Sequence, residues 1–240
     1  MLQTTPAPSP APHLQGGVQP MLTPDQEIAV SFNGEIYNFQ EVRADLEARG
    51  ARFLTESDTE VLLHGWRAWG PSMLSRFNGM FAFALYDADK RSLFLARDRF
   101  GVKPLVYTEL SDGAVIFASE IKGLMAHPSF RRAADFRAVE DYMGLGYVPD
   151  DASILAGVKK LPAGHFLLLE RGRAVPDPVQ WWDLDFSKRA PGKLKDLEAE
   201  LVSRMRDAVT SRMIADVPLG AFLSGGVDSS AVVALKVVVQ

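Results

Sequence analysis

The stretch "MFAFALYD" (80–87) constrains the fold more than any other. Phe81, Phe83 and Leu85 fall on one face of an alternating run, and the opposite face carries Ala82 and Ala84 instead of polar residues. A strand wetted on one side alternates apolar with polar. Here both faces are apolar and one is built from small side chains, so the run predicts a strand covered on both sides, within two layers of sheet. "EIAVSFN" (27–33) alternates Ile28, Val30 and Phe32 with Ala29, Ser31 and Asn33, as a half-buried strand does. "SLFLARD" (92–98) and "AVIFASE" (114–120) read as further strands, with Asp112-Gly113 as a bounding turn.

Helices are expected between and after them. "FQEVRADLEARG" (39–50) places Val42 and Leu46 one turn apart, with Gly50 as its stop. In "ESDTEVLLHGWRAWG" (56–70), Ser57 and Glu60 have capping-box spacing ahead of Val61, Leu62, Trp66 and Trp69. A helix is expected near "FRAVEDYMGLG" (136–146), and a hairpin in "GHFLLLERGRAV" (164–175), turning at Arg171-Gly172. "MLQTTPAPSPAPHLQGG" (1–17) has proline at every second position from Pro6 to Pro12 and reads as an extended, disordered leader. "SKRAPGK" lies in a linker at 186–195. From 196 an amphipathic helix carries Leu197, Leu201, Met205 and Val209 at spacings of four. A short strand "VPLGAFL" (217–223), a loop "SGGVDSS" (224–230) and a helix start complete the chain.

Composition narrows the chemistry. A chain of 240 residues with 47% hydrophobic content can bury a substantial core. The net charge of −4 leaves no basic stripe for nucleic acid or a membrane surface, so small-molecule ligands are expected. No apolar run approaches the roughly 20 residues that span a bilayer. No basic-then-apolar secretory signal opens the chain, and a cytoplasmic protein is expected. There is no cysteine, which excludes disulfides, thiolate metal sites and a cysteine nucleophile within these residues. The histidines at 13, 64, 127 and 165 show no ligand spacing.

The glycine-rich loop is the clearest candidate site. A strand, a glycine turn and a helix start present backbone N–H groups and a positive helix end to an anion. Gly225 and Gly226 permit close approach, Ser224, Ser229 and Ser230 offer hydroxyls, and Asp228 could hold a magnesium ion. No Gly-Lys-[Ser/Thr] follows and no G-x-G-x-x-G is present, so neither common nucleotide motif applies. On these residues alone, an ordinary turn capped by Asp228 or Ser229 stands beside the nucleotide reading.

The loop and its approach, "ADVPLGAFLSGGVDSSAVVAL" (215–235), resemble the opening of the synthetase domain of glutamine-hydrolysing asparagine synthetases, which has the pyrophosphate loop of N-type ATP pyrophosphatases. Upstream, "QPM" (19–21), "FNGEIYN" (32–38), "SDTEVLL" (57–63), "NGMFAFALYD" (78–87), "RDRFGVKPL" (97–105), "FASEIKGL" (117–124), "GYVPDDASI" (146–154) and "KKLPAGH" (159–165) match the same family in order. The resemblance implies an α+β fold: a four-layer αββα sandwich of the N-terminal-nucleophile hydrolase kind over 18–185, lacking its first strands. The first βα unit of an α/β ATP-pyrophosphatase domain would follow over 196–240. It implies glutamine, aspartate and ATP with Mg2+ as ligands, a possible homodimer, and amidation of aspartate through an aspartyl-adenylate.

Carried over by resemblance, Asn33 and Gly34 form an oxyanion hole, and Asn33, Glu35 and Asp58 bind glutamine. Ser224, Gly225, Gly226, Asp228, Ser229 and Ser230 bind ATP. Taken without the family, Asn33-Gly34 also reads as a plain turn and Asp58 as a helix-start residue. Arg97-Asp98, Gly101 and Lys103-Pro104 are expected to shape a turn, Ser119-Glu120 stands open between a site role and capping a helix, and Trp181-Trp182 are expected to pack at a domain junction. Two departures stand out. The family's cysteine after the initiator methionine is replaced by Leu2, and its His-Arg-Gly-Pro-Asp segment is absent. The expectation is a fragment cut at both ends that does not hydrolyse glutamine. The alternatives are a β-lactam-synthetase-like adenylating enzyme and an inactive amidotransferase fold kept as a binding module.

Overall fold

The structure is a computed structural model that describes residues 17–149, 152–213 and 220–239. The chain separates into two compact units between Asp183 and Leu184. The expected leader at 1–17 lies, but for Gly17, outside the described residues.

The first unit runs β1 (Met21–Leu22), β2 (Ile28–Ile36), α1 (Phe39–Ala48), α2 (Glu60–Trp69), β3 (Gly79–Asp87), β4 (Ser92–Arg97), β5 (Val106–Glu109), β6 (Val115–Ala118), α3 (Ile121–Met125), α4 (Phe136–Leu145), β7 (Lys159–Lys160), β8 (His165–Glu170) and β9 (Val179–Gln180). Among the described residues these strands form two sheets, ordered β1-β2-β3-β4-β8-β9 and β6-β5-β7, with antiparallel pairing between neighbours. β2 and β3 pair along their full length, from Ile28 opposite Asp87 to Ile36 opposite Gly79.

Side-chain alternation on β3 sorts the layers as its sequence predicts. Phe81, Phe83 and Leu85 face α1 and α2, packing with Val42, Leu46, Val61, Leu62 and Trp66. Ala82 and Ala84 face the other way, where with Leu95 and Leu167 they meet Leu105, Tyr107 and Leu161 of the smaller sheet's side. On the outer face of that sheet Val106 packs with Leu124 of α3 and with Val158. The order is therefore helices, sheet, sheet, helix, the expected αββα sandwich. The alanines matter because small side chains let the two sheets approach closely while still excluding water.

Several local expectations are corrected. Ser57 and Glu60 do not form a reciprocal capping box: Ser57 Oγ accepts from Thr59 N, but the Glu60 carboxylate turns back to accept from Leu54 N, Thr55 N and Thr55 Oγ1 at 2.7–2.8 Å. Burial alone would raise the Glu60 pKa, and these hydrogen bonds, outweighing it, hold the carboxyl below its ordinary value. The return strand opposite β8 is β9, not the residues just after Gly172, where Pro176 and Pro178 lack the N–H that a ladder needs. Strand β5 escaped the sequence reading: with four residues, Val106 facing out and Tyr107 facing in, it shows no long alternation.

In the second unit, α5 (Leu194–Ser211) and α6 (Val227–Val239) lie against one another. The strand expected at 217–223 is not found: Val217–Leu219 lie outside the described residues, and Gly220–Leu223 carry no strand. A parallel strand is stabilised by hydrogen-bonded neighbours, and the unit offers none among its described residues.

The connection between the sheets is held by two buried charges. Asp98, 1% exposed, accepts from the backbone N–H groups of Phe81, Phe100, Val102 and Lys103 at 3.0–3.1 Å. Arg97, 7% exposed, donates to the carbonyls of Lys103, Leu161 and Gly101 at 2.7–2.8 Å. These residues shape the turn, as the sequence suggested. Asp98→Ala leaves four donors without their acceptor, and a loss on the order of 4 kcal/mol is expected in urea unfolding. Asp98→Asn, which keeps a carbonyl oxygen, is expected to fall between the two.

Candidate functional site

The site forms at the end of β2, where the chain must approach its neighbour very closely. A Cβ on Gly34 would stand 2.2 Å from the Met80 carbonyl oxygen and 2.7 Å from Phe81 Cα. Across the ladder, a Cβ on Gly79 would meet the Glu35 carbonyl oxygen at 2.3 Å. Two glycines on facing strands thus let the backbones of β2 and β3 approach more closely than any side chain would allow.

Asn33 follows Phe32, which packs toward the helices, so period two turns Asn33 to the inter-sheet side. Its register partner there is Ala82, which lines the inter-sheet core. At that end of the sandwich Asn33 Nδ2 donates to Ser119 Oγ at 3.2 Å. Glu35 is two residues further along and opposite Met80.

Asp58 comes from the loop that enters α2. Its Oδ2 accepts from the Ile36 backbone N–H at 3.0 Å, which ties this loop to the end of β2. Burial raises the Asp58 carboxyl above its ordinary value of 3.8, and hydrogen bonds from Ile36 and Thr59 offset only part of that shift. Asn33, Gly34, Glu35 and Asp58 are therefore brought to one strand end and the loop hydrogen-bonded to it. A part-buried carboxylate attracts an ammonium group, and a carboxamide offers N–H donors to a carbonyl oxygen. The set suits an amino acid with a polar side chain.

The second candidate set lies in the second unit. Gly225 has φ +80°, a left-handed conformation that glycine adopts without strain. Ser224 Oγ and Ser229 Oγ are 2.9 Å apart, and Ser229 Oγ donates to the Gly226 carbonyl at 3.0 Å. Ser230 N donates to the same carbonyl at 3.1 Å, so the loop runs directly into α6. Asp228 stands in the first turn of α6. Backbone N–H groups at a helix start, with clustered hydroxyls, are a fit for phosphate oxygens. Among the described residues no three His, Cys, Asp or Glu side chains group to hold a metal, so Asp228 fits Mg2+ only together with phosphate oxygens. Among the described residues, no helix is long and apolar enough to cross a membrane.

One sequence expectation fails here. Ser119 does not cap α3; the N-cap residue Glu120 is extended and gives no side-chain cap, and Ser119 Oγ contacts Asn33. Only its place after an apolar strand marked Ser119, and the 86-residue separation from Asn33 hid the contact. Trp181 and Trp182 serve the first unit: Trp181 stacks on Phe81 with Nε1 donating to the Arg97 carbonyl, and Trp182 packs against Phe100.

The glutamine amidotransferase domain family matches residues 13–182, and the asparagine synthase family matches residues 200–237. The chain belongs to the glutamine amidotransferase domain family. It is 37% identical over 225 residues to asparagine synthetase [glutamine-hydrolyzing] 3 of Bacillus subtilis, covering 92% of this chain and 36% of that protein. It is 39% identical over 230 residues to asparagine synthetase [glutamine-hydrolyzing] 1 of the same organism, covering 92% and 34%. A putative asparagine synthetase [glutamine-hydrolyzing] 2 of Methanocaldococcus jannaschii is 39% identical over 210 residues, covering 86% and 40%. The chain thus spans 34–40% of the length of these relatives. Among solved structures, the glutamine phosphoribosylpyrophosphate amidotransferase of B. subtilis aligns at 21% identity over 69% of this chain and 32% of that one, with a TM-score of 0.48.

Two outcomes test the geometry. Gly34→Ala forces a Cβ into backbone that cannot yield, and a loss of about 3 kcal/mol or more is expected from thermal or urea unfolding. Asp58 acts in the opposite sense. Its folded pKa lies above the unfolded value, so between the two the folded chain holds a proton that the unfolded chain has released. The stability it contributes falls as pH rises through that window, starting from 3.8. Asp58→Asn removes this slope, and the variant should be at least as stable as the parent at pH 7, since its amide oxygen still accepts from Ile36 N.

Proposed function

We propose that this chain is the glutamine-recognising domain, with the start of the synthetase domain, of a glutamine-hydrolysing asparagine synthetase. In that reading the whole protein makes asparagine from aspartate through an aspartyl-adenylate, using ATP and ammonia from glutamine. The observation that carries it is the part-buried Asp58 carboxylate tied to the β2 end that presents Asn33, Gly34 and Glu35. Asp58 and Glu35 take the α-ammonium side of glutamine. Asn33 Nδ2 and the Gly34 backbone face its side-chain carbonyl, where negative charge would develop on attack.

The tandem order of two family matches supports the second half of the reading. The domains are 18–185 and 196–240, with the linker at 186–195. Ser224, Gly225, Gly226, Ser229 and Ser230 hold the ATP phosphates, with Asp228 sharing Mg2+ with them. ATP supplies the adenylate that activates aspartate. The assignment includes a cytoplasmic place and a homodimer.

These 240 residues contain no cysteine, so they provide no thiolate to attack the glutamine amide. Binding without hydrolysis is the expected behaviour of this chain, which gives the inactive binding module its support. Calorimetry should detect glutamine, and a glutamate-dehydrogenase-coupled assay should detect no ammonia. Asp58→Ala is expected to weaken glutamine at least tenfold, since it leaves an ammonium without its counter-charge. Unchanged binding in that variant would remove the assignment of Asp58.

A further inference from the structure

Ser119 is placed with unusual care for a residue outside the expected site. It follows directly on β6, whose last residue, Ala118, is held opposite Val106 of β5. The next helix, α3, packs so tightly onto this corner that a Cβ on Gly123 would stand 2.8 Å from Ala118 Cβ. A serine just ahead of a helix ordinarily accepts from the helix's first N–H groups. This one does not: Glu120 is the N-cap and the helix has no side-chain cap. The Ser119 hydroxyl instead accepts from Asn33 Nδ2 at 3.2 Å, joining the end of the three-stranded sheet to β2 of the six-stranded one.

We infer that Ser119 is a positioning residue for Asn33: it fixes the plane of the Asn33 carboxamide so that the second Nδ2 hydrogen points at the side-chain carbonyl of bound glutamine. A carboxamide NH2 carries two donors in one plane. Without a partner, the terminal torsion of asparagine is broad and the amide turns freely about it. With one hydrogen committed to Ser119 Oγ, the direction of the other is set. An oxyanion-type donor works through being aimed before the ligand arrives, because no reorganisation is then needed. Ser119 itself touches neither glutamine nor the reacting atoms in this arrangement. The inference rests on the site assigned to Asn33 above and adds a residue from the opposite sheet to it.

The test compares the full chain with Ser119→Ala and Ser119→Thr, using glutamine and norvaline as probes. Norvaline keeps the α-amino and α-carboxyl groups of glutamine but has no side-chain carbonyl. Ser119→Ala should weaken glutamine about three- to tenfold, the worth of one aimed hydrogen bond, and leave norvaline unchanged. Ser119→Thr, which keeps the hydroxyl, should restore glutamine affinity. Equal weakening of both probes, or no change in either, would overturn the inference.

Side-chain amide NMR reads the link without any ligand. The Asn33 NH2 pair, assigned by its loss in Asn33→Asp, should shift and exchange faster in Ser119→Ala and return in Ser119→Thr. An Asn33 pair indifferent to Ser119→Ala overturns the link whatever glutamine does. If glutamine fails to bind the unaltered chain while the NMR response is present, the glutamine site itself is what has failed, and the positioning role goes with it.

Discussion

Two buried charges side by side, Arg97 and Asp98, are the interaction on which the first unit depends. They stand where the chain leaves β4 of the larger sheet and crosses toward β5 of the smaller one. Burying a charge is costly unless its hydrogen-bonding capacity is met. Here backbone groups meet it on both sides: carbonyls of residues 101, 103 and 161 for the guanidinium, and N–H groups of residues 81, 100, 102 and 103 for the carboxylate. The Asp98 carbonyl also accepts from Gly164 N at 2.8 Å, at the start of β8. One dipeptide thus ties β3, the crossover, the segment before β8 and both sheets to a single geometry. Gly101 completes it, since a Cβ there would stand 2.9 Å from Arg97 Cζ.

That geometry sets the distance across which the site must work. Asn33 belongs to one sheet and Ser119 to the end of the other, and a hydrogen bond 3.2 Å long joins them only if the sheets are held in register. The alanines of β3 let the sheets come close, and the charge pair holds the crossover between them in place. On the helix side, Trp66 Nε1 donates to buried Asp87 at 2.7 Å, fixing α2 to the end of β3. The same helix follows the loop that delivers Asp58 to Ile36. Packing therefore reaches the site from both faces of the larger sheet.

Much of this was legible from the residues. The alternation of Phe81, Ala82, Phe83 and Ala84 announced a two-sheet sandwich because side-chain period on a strand is a local property. Val42, Leu46 and Gly50 announced α1 for the same reason. Asn33, Gly34, Glu35 and Asp58 were legible as a set only through resemblance, since nothing local distinguishes an Asn-Gly inside a strand from a turn. The failures have separate causes. Glu60 has the spacing of a capping-box residue, yet its carboxylate serves the preceding loop, accepting from three donors there. Strand β5 was missed because four residues carry too little period to read. The strand expected before the glycine loop is not seen at Gly220–Leu223, because strand formation depends on a partner that sequence cannot supply.

By itself the sequence determined which segments alternate, which faces are apolar, where the glycines sit and that no thiol is present. These follow from covalent identity and from the 2.0 and 3.6 residue periods. Only the tertiary structure decided that Asp58 meets the end of β2, that Gly34 and Gly79 must both be bare, and that Ser119 turns away from its own helix to hold Asn33. The Asp58–Ile36 and Asn33–Ser119 hydrogen bonds join residues 22 and 86 positions apart. Such contacts exist only once the chain entropy opposing them has been overcome by the packing of two sheets, so no local pattern announces them.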